Sequence, residues 1–172
     1  LLRKKRVIAG DILPLLKDPD AAIRRNTIVV LGDGHSQQAV PYLISALNEK
    51  DASKCSSAEK AAAAIALGRI ARHEKKTWSQ SVPALLDVLA ENHNVDPVLR
   101  CAVCSSLSLC ATVEQLVQCV SDTRQPVRLG AVVALARMYS SRLGVFLRDT
   151  DVQVVTEAAR GLYGNGDEES VR

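Results

Sequence analysis

Apolar residues recur along this chain with the spacing of a helix face. In the stretch SVPALLDVLA (81–90), Val82, Leu85, Leu86 and Leu89 fall at i, i+3, i+4 and i+7, which puts all four on one side of a helix. Comparable amphipathic segments are VIAGDILPLL (7–16), QAVPYLISAL (38–47), ATVEQLVQCV (111–120) and SRLGVFL (141–147). Pro41 and Pro83 are expected in the first turn of their helices, where a missing N–H leaves nothing unpaired.

Each of these segments is followed by a second one of different texture: a turn with Asp or Pro, a β-branched residue or leucine, usually an arginine, then small residues closing on leucine. The copies are DPDAAIRRNTIVVLG (18–32), VDPVLRCAVCSSLSL (95–109), RQPVRLGAVVALARM (124–138) and DTDVQVVTEAARGLY (149–163); AEKAAAAIALG (58–68) keeps only the small residues and the final leucine-glycine. The matching leucines are Leu31, Leu67, Leu107, Leu135 and Leu162, at intervals of 36, 40, 28 and 27 residues. One unit is therefore helix A, a tight turn, then helix B. Two short helices cannot bury their own apolar stripe, so neighbouring units must stack to complete a core. This predicts an all-α chain folded as a right-handed α-α superhelix of about five helix hairpins, over roughly 7–33, 38–71, 81–110, 112–139 and 142–164. The stretches 48–60 and 72–80 interrupt the pattern and are expected to form loops on the rims.

The stretches DAAIRRNTIVVLG (20–32) and QPVRLGAVVALA (125–136) resemble the D-x-x-V-R-x-x-A-x-x-A-L-G signature of HEAT repeats, in the short variant shared with phycobilin-lyase-like proteins. The likeness covers nearly the whole chain, and it implies an armadillo-like solenoid whose B helices line an inner, partner-binding surface. Residues 81–164 also resemble the HEAT region of large planctomycete-type proteins that join a dehydrogenase-like propeller, HEAT repeats and a haem-c domain. There Cys101 stands where that family has histidine. That second likeness implies an exported spacer module whose redox chemistry sits in other domains.

Composition narrows the class further. Hydrophobic residues make up 47% of the 172, yet aromatics only 3%, so the core is built from Ala, Val, Leu and Ile, which suits closely spaced helices better than a sheet sandwich. Net charge is +3, too little to imply nucleic acid. It is unevenly spread: residues 1–86 hold 14 Lys/Arg against 8 Asp/Glu, and residues 87–172 hold 8 against 11. The longest apolar run, Ala61 to Leu67, is far short of the ~20 residues that span a bilayer. Expected partners are thus a protein or adjoining domains of the same chain, with neither nucleic acid nor membrane. Leu1-Leu2, Val7 and Ile8 at one end and GNGDEESVR at the other do not read as capping repeats, so the chain is expected to be a segment of a longer solenoid, with weak self-association through its ends.

Reactive motifs are few. Cys55, Cys101, Cys104, Cys110 and Cys119 sit where small apolar residues belong and read as buried thiols. Cys101-x-x-Cys104 lacks the following histidine of a haem-c site, having Ser105 instead, and lies inside a helix rather than at its start, unlike a thioredoxin-type pair. No second ligand pair completes a zinc site. His73-Glu74 is a single His-Glu pair, whereas the di-iron HEAT hydroxylase family needs several. LGDGHS (31–36) and YGNGDEES (163–170) follow helices and read as glycine C-caps, without the Lys-Ser/Thr ending of a phosphate loop. Arg24, Arg100 and Arg128, with Lys60 in the variant copy, share one register and are expected to bond the turn aspartates Asp20, Asp96 and Asp122. No cofactor and no metal are expected. The chain reads as a non-catalytic interaction scaffold; the alternatives are an accessory module of a larger redox enzyme and a bilin lyase-like protein. The helix B register offers Arg25, Asn26, Cys101, Ser105, Glu157 and Arg160 as the partner-facing residues.

Overall fold

In the computed structural model, which describes residues 9–169 (side chains 10–164), every regular element is helical. The B helices are α2 (Ala21–Asp33), α4 (Ser57–His73), α6 (Pro97–Cys110), α8 (Gln125–Arg137) and α9 (Val152–Glu169). On the A side stand α1 (Ala9–Ile12), α3 (Val40–Asn48), α5 (Trp78–Asn92) and α7 (Val113–Gln118), with 3₁₀ segments at Leu13–Lys17, Gln37–Ala39, Lys75–Thr77, Cys119–Ser121 and Ser141–Arg148. Each B helix packs on the next, α2 on α4, α4 on α6, α6 on α8 and α8 on α9, and on the A element of its own unit. The fold is an all-α helical-repeat solenoid. The end residues Leu1, Leu2, Val7, Ile8 and those from 170 onward, on which the reading of uncapped ends rests, lie outside the described residues, as do the side chains beyond 164.

One continuous core runs between the two layers, and the repeat leucines Leu31, Leu67, Leu107 and Leu135 are buried in it together with Leu43, Leu85, Leu116, Leu143 and Phe146. Leu162, the fifth repeat leucine, is only half-buried. The turns start the B helices by side-chain capping. Asp20 accepts from the Ala22 N–H at 2.7 Å, Asp96 from Val98 and Leu99, Asp151 from Gln153 and Val154, and Ser56 with Glu59 forms a capping box. These caps correct one expectation: Asp20 and Asp96 saturate helix N–H groups rather than arginines.

Other departures have local causes. The stretch 72–80 is helical rather than a loop. The Trp78 indole N–H donates to the Ala71 carbonyl at 2.7 Å and Thr77 Oγ1 to the Glu74 carbonyl, folding the linker into a 3₁₀ turn that runs straight into α5. The earlier start of α5 leaves Pro83 inside the helix instead of in its first turn. Of the two glycine-rich stretches, LGDGHS does cap α2 through a left-handed residue, but that residue is His35 and not a glycine, the His35 and Ser36 N–H groups donating to the Gly32 and Leu31 carbonyls. Among the described residues the positive-φ positions are His35, His93, Asn94 and Tyr139, at the ends of α2, α5 and α8, and no glycine has positive φ. YGNGDEES lies within α9 up to Glu169.

Gly32 and Gly68 serve packing instead: a Cβ on Gly32 would lie 2.7 Å from the Cβ of Ala66, and one on Gly68 2.7 Å from the Cβ of Ser106. Those distances are well inside van der Waals contact, so the missing side chains are what lets adjacent B helices touch backbone to backbone.

Candidate partner-binding face

Of the three arginines in the shared register, two do the same thing. Arg24 donates through Nη1 to the Asp18 and Pro19 carbonyls and through Nε to Glu59 at 2.7 Å; Arg128 donates through Nη1 to the Asp122 and Thr123 carbonyls and through Nε to Asp149 at 2.7 Å. Each guanidinium thus clamps its own turn and reaches an acid of the next unit. Both pairs are largely buried, the side chains of Glu59 and Asp149 being 4% and 3% exposed. Burial pushes both carboxyls up. For Asp149 the Arg128 hydrogen bond and the backbone N–H groups of Asp151 and Thr150 outweigh that, and for Glu59 the Arg24 and Ser56 hydrogen bonds do, so both end below the ordinary range.

Arg100 breaks the series. Its counterpart acid, Asp122, is held by Arg124, whose Nε and Nη2 donate to the two carboxylate oxygens at 3.0 and 2.8 Å while Nη1 reaches Asp87 at 2.9 Å. Arg124 occupies the N-cap position of α8, where the other B helices carry Asp or Ser, and its side chain makes no cap. Arg100 makes no side-chain hydrogen bond or ion pair among the described residues. It faces a groove of about 570 Å³ between α6, α8 and α9, lined also by Cys101, Cys104, Leu129, Val133, Arg137, Val152, Thr156, Glu157 and Arg160.

The six residues read from the helix B register divide between two places. Cys101, Glu157 and Arg160 line this groove, and Ser105 touches it through Arg137, whose Nη1 donates to the Ser105 hydroxyl and whose Nη2 lies 3.4 Å from the Cys101 sulfur. Glu157 accepts from Arg160 at 2.8 Å, an exposed i,i+3 pair. Arg25 and Asn26 are exposed on α2, with α4 between them and α6, and do not belong to the groove. Register reasoning missed Arg137, Leu129 and Val133 and counted Arg100 as structural. The available signal was Arg124, an arginine in the capping register.

The cysteines are free thiols, and four are buried as expected. Burial pushes Cys104 and Cys110 up to about 12 and Cys119 to about 11, which keeps those thiols protonated. Cys101 is the exception: it is exposed at the groove, on the same helix face as Cys104, which lies one turn on and is buried.

Near the far end of the B layer, the His73 ring lies against His35 of the preceding unit with centroids 4.0 Å apart, and Glu74 accepts from Gln37 at 2.7 Å. Among the described residues no three His, Cys, Asp or Glu side chains are grouped to hold a metal ion, and no helix is long and apolar enough to cross a membrane.

A family model for HEAT repeats matches residues 11–108, more than half of the chain. The match names the repeat and no narrower group. No curated protein matches the chain.

Proposed function

Because the chain belongs to the HEAT-repeat family, we propose that it is a non-catalytic protein-interaction scaffold, holding a protein partner or an adjoining domain against the exposed side of its B helices. The observation that carries this reading is the groove between α6, α8 and α9, an open concavity of about 570 Å³ on the layer formed by consecutive B helices. Rigid, repeated B helices make such a surface without any mobile loop, and a preformed surface loses little entropy when a partner docks.

Four of the carboxyls held below the ordinary range support the non-catalytic part. Glu59 and Asp149 bridge to arginines, Asp122 is held low first by the Arg124 hydrogen bond, and Asp96 first by the Ser57 hydroxyl while it caps α6. All four are occupied in holding turns and neighbouring units together, which leaves them unsuited to moving protons.

A photo-reactive amino acid placed at Arg160 on the B layer, and at Glu114 on α7 as a control, tests the reading in extracts of the native source. Discrete protein adducts from position 160 that are missing from position 114 are expected. Adducts from neither position, or equally from both, would remove the scaffold assignment.

A further inference from the structure

We propose that the groove between α6, α8 and α9 takes an acidic peptide segment of a partner protein, its carboxylate paired with Arg100 and Arg137 and an apolar neighbour resting on Leu129 and Val133. This rests on the scaffold reading and specifies its partner chemistry.

The first ground is that two guanidiniums facing one concavity have no carboxylate partner among the described residues. In the same register Arg24 and Arg128 each hold an acid of the next unit, but Arg124 has taken Asp122, so Arg100 is left over. Arg137 donates only to neutral acceptors, the Ser105 hydroxyl and the Cys101 sulfur. A guanidinium gains most from a carboxylate that it can grip with two parallel hydrogen bonds, and both arginines have that capacity free.

The second ground is charge. The groove carries three arginines against Glu157 alone, and a cleft lined mostly by one sign of charge concentrates the field that draws in an anionic segment. The third ground is the apolar floor of Leu129, Val133 and Val152, which a bare small anion would leave wet but a peptide bearing both Glu and Leu covers.

Cys101 supplies the reporter. It is the exposed cysteine and lines the groove, whereas Cys55, Cys104, Cys110 and Cys119 are buried. The probe is an end-blocked dodecapeptide of four Glu-Glu-Leu triplets, with a Gln-Gln-Leu twin as control. In fluorescence anisotropy the acidic peptide binds and its twin does not, and at saturation it slows alkylation of Cys101 by N-ethylmaleimide several-fold. Arg100→Gln combined with Arg137→Gln weakens binding by about tenfold or more, the loss of charge-assisted hydrogen bonds at 1.4 kcal/mol per decade, while its urea midpoint stays unchanged because neither arginine bridges to another acid. Undiminished binding by that variant, equal binding of the twin, or an unchanged Cys101 rate overturns the proposal. Displacement of the peptide by millimolar inorganic phosphate would reassign the groove to small anions and overturn it too. A cross-link from position 160 that persists in the double variant leaves the scaffold standing and overturns the pairing of its partner with Arg100 and Arg137.

Discussion

Substituting Gly68 by alanine tests the claim that the B helices meet backbone to backbone. In an ordinary exposed helix, Gly→Ala stabilises by about 1 kcal/mol, because alanine restricts the unfolded chain. At position 68 the new Cβ would stand 2.7 Å from the Ser106 Cβ and 2.8 Å from its Cα. Carbon atoms rest at about 3.5–4.0 Å, so the overlap is about 1 Å. The atoms in the way belong to the backbone of α6 and the stub of its side chain, and neither can rotate aside. Relief requires α6 to move away from α4. That movement breaks the hydrogen bond of the buried Ser106 hydroxyl to the Ala64 carbonyl, now 2.7 Å, and opens the packing around Ala102 and Val103.

Overpacking of this kind costs about 1–3 kcal/mol and sometimes more, enough to reverse the alanine gain. Set against the alanine gain of about 1 kcal/mol the net loss is up to about 2 kcal/mol, and at about 2–4 °C per kcal/mol for a chain of this size Gly68→Ala should lower Tm by up to about 8 °C. Gly164 in α9 is the control, since a Cβ there meets nothing within 4 Å; Gly164→Ala should leave stability unchanged or raise it by up to about 1 kcal/mol. Urea unfolding followed by circular dichroism compares both with the parent chain. A Gly68→Ala variant as stable as Gly164→Ala would refute the close approach of α4 and α6.

Four further outcomes follow from the ion pairs and thiols. Glu59 and Asp149 titrate below their ordinary values in the folded state, so their stabilisation is full above the unfolded carboxyl range near pH 4 and is lost as pH falls through the folded values; Tm should hold from pH 7 to about 5 and drop below about 4. Asp149→Asn, which leaves the Arg128 guanidinium without its charge partner, should cost about 1.5–3 kcal/mol at pH 7 and flatten that acid limb, read by thermal melts across pH. With a chromogenic disulfide reagent at pH 8, Cys101 should react rapidly in the native protein and the four buried thiols only on unfolding; more than one fast thiol would contradict the burial of Cys104, Cys110 and Cys119. Finally, Arg124→Asp should give α8 the side-chain cap it lacks and release Asp122 toward Arg100, weakening the acidic peptide without lowering the urea midpoint; stronger peptide binding would contradict the assignment of Arg100.

How far this architecture could be read from the chain differs by element, for physical reasons. The B helices were legible because their signals agree: small residues facing the next unit and apolar residues at helical spacing, with a capping turn acid ahead of α2, α6 and α9. The A elements were legible as helical but not in kind. Leu13–Lys17 and Ser141–Arg148 are 3₁₀, and over five to eight residues a period of 3.0 cannot be told from 3.6. The linker 72–80 was misread because its lysines and serines look like a loop, while one indole bond from Trp78 to Ala71 sets its path.

The glycines misled in a different way. Gly32 in LGDGHS suggests a left-handed cap, but what it accommodates, like Gly68, is a neighbour in the next B helix, Ala66 for Gly32 and Ser106 for Gly68, which no local pattern encodes. The groove shows the same division. Cys101, Ser105, Glu157 and Arg160 share its face because register alone puts them on the B layer. Arg100 looks identical to Arg24 and Arg128 in sequence, and its partner is lost through a third residue, Arg124, that competes for Asp122. Because the bond that frees Arg100 lies in the next unit, its consequence appears only when the units are stacked. A repeat in which one copy breaks the shared pairing is therefore the place to look for what the stack binds, and here the broken copy opens onto the groove.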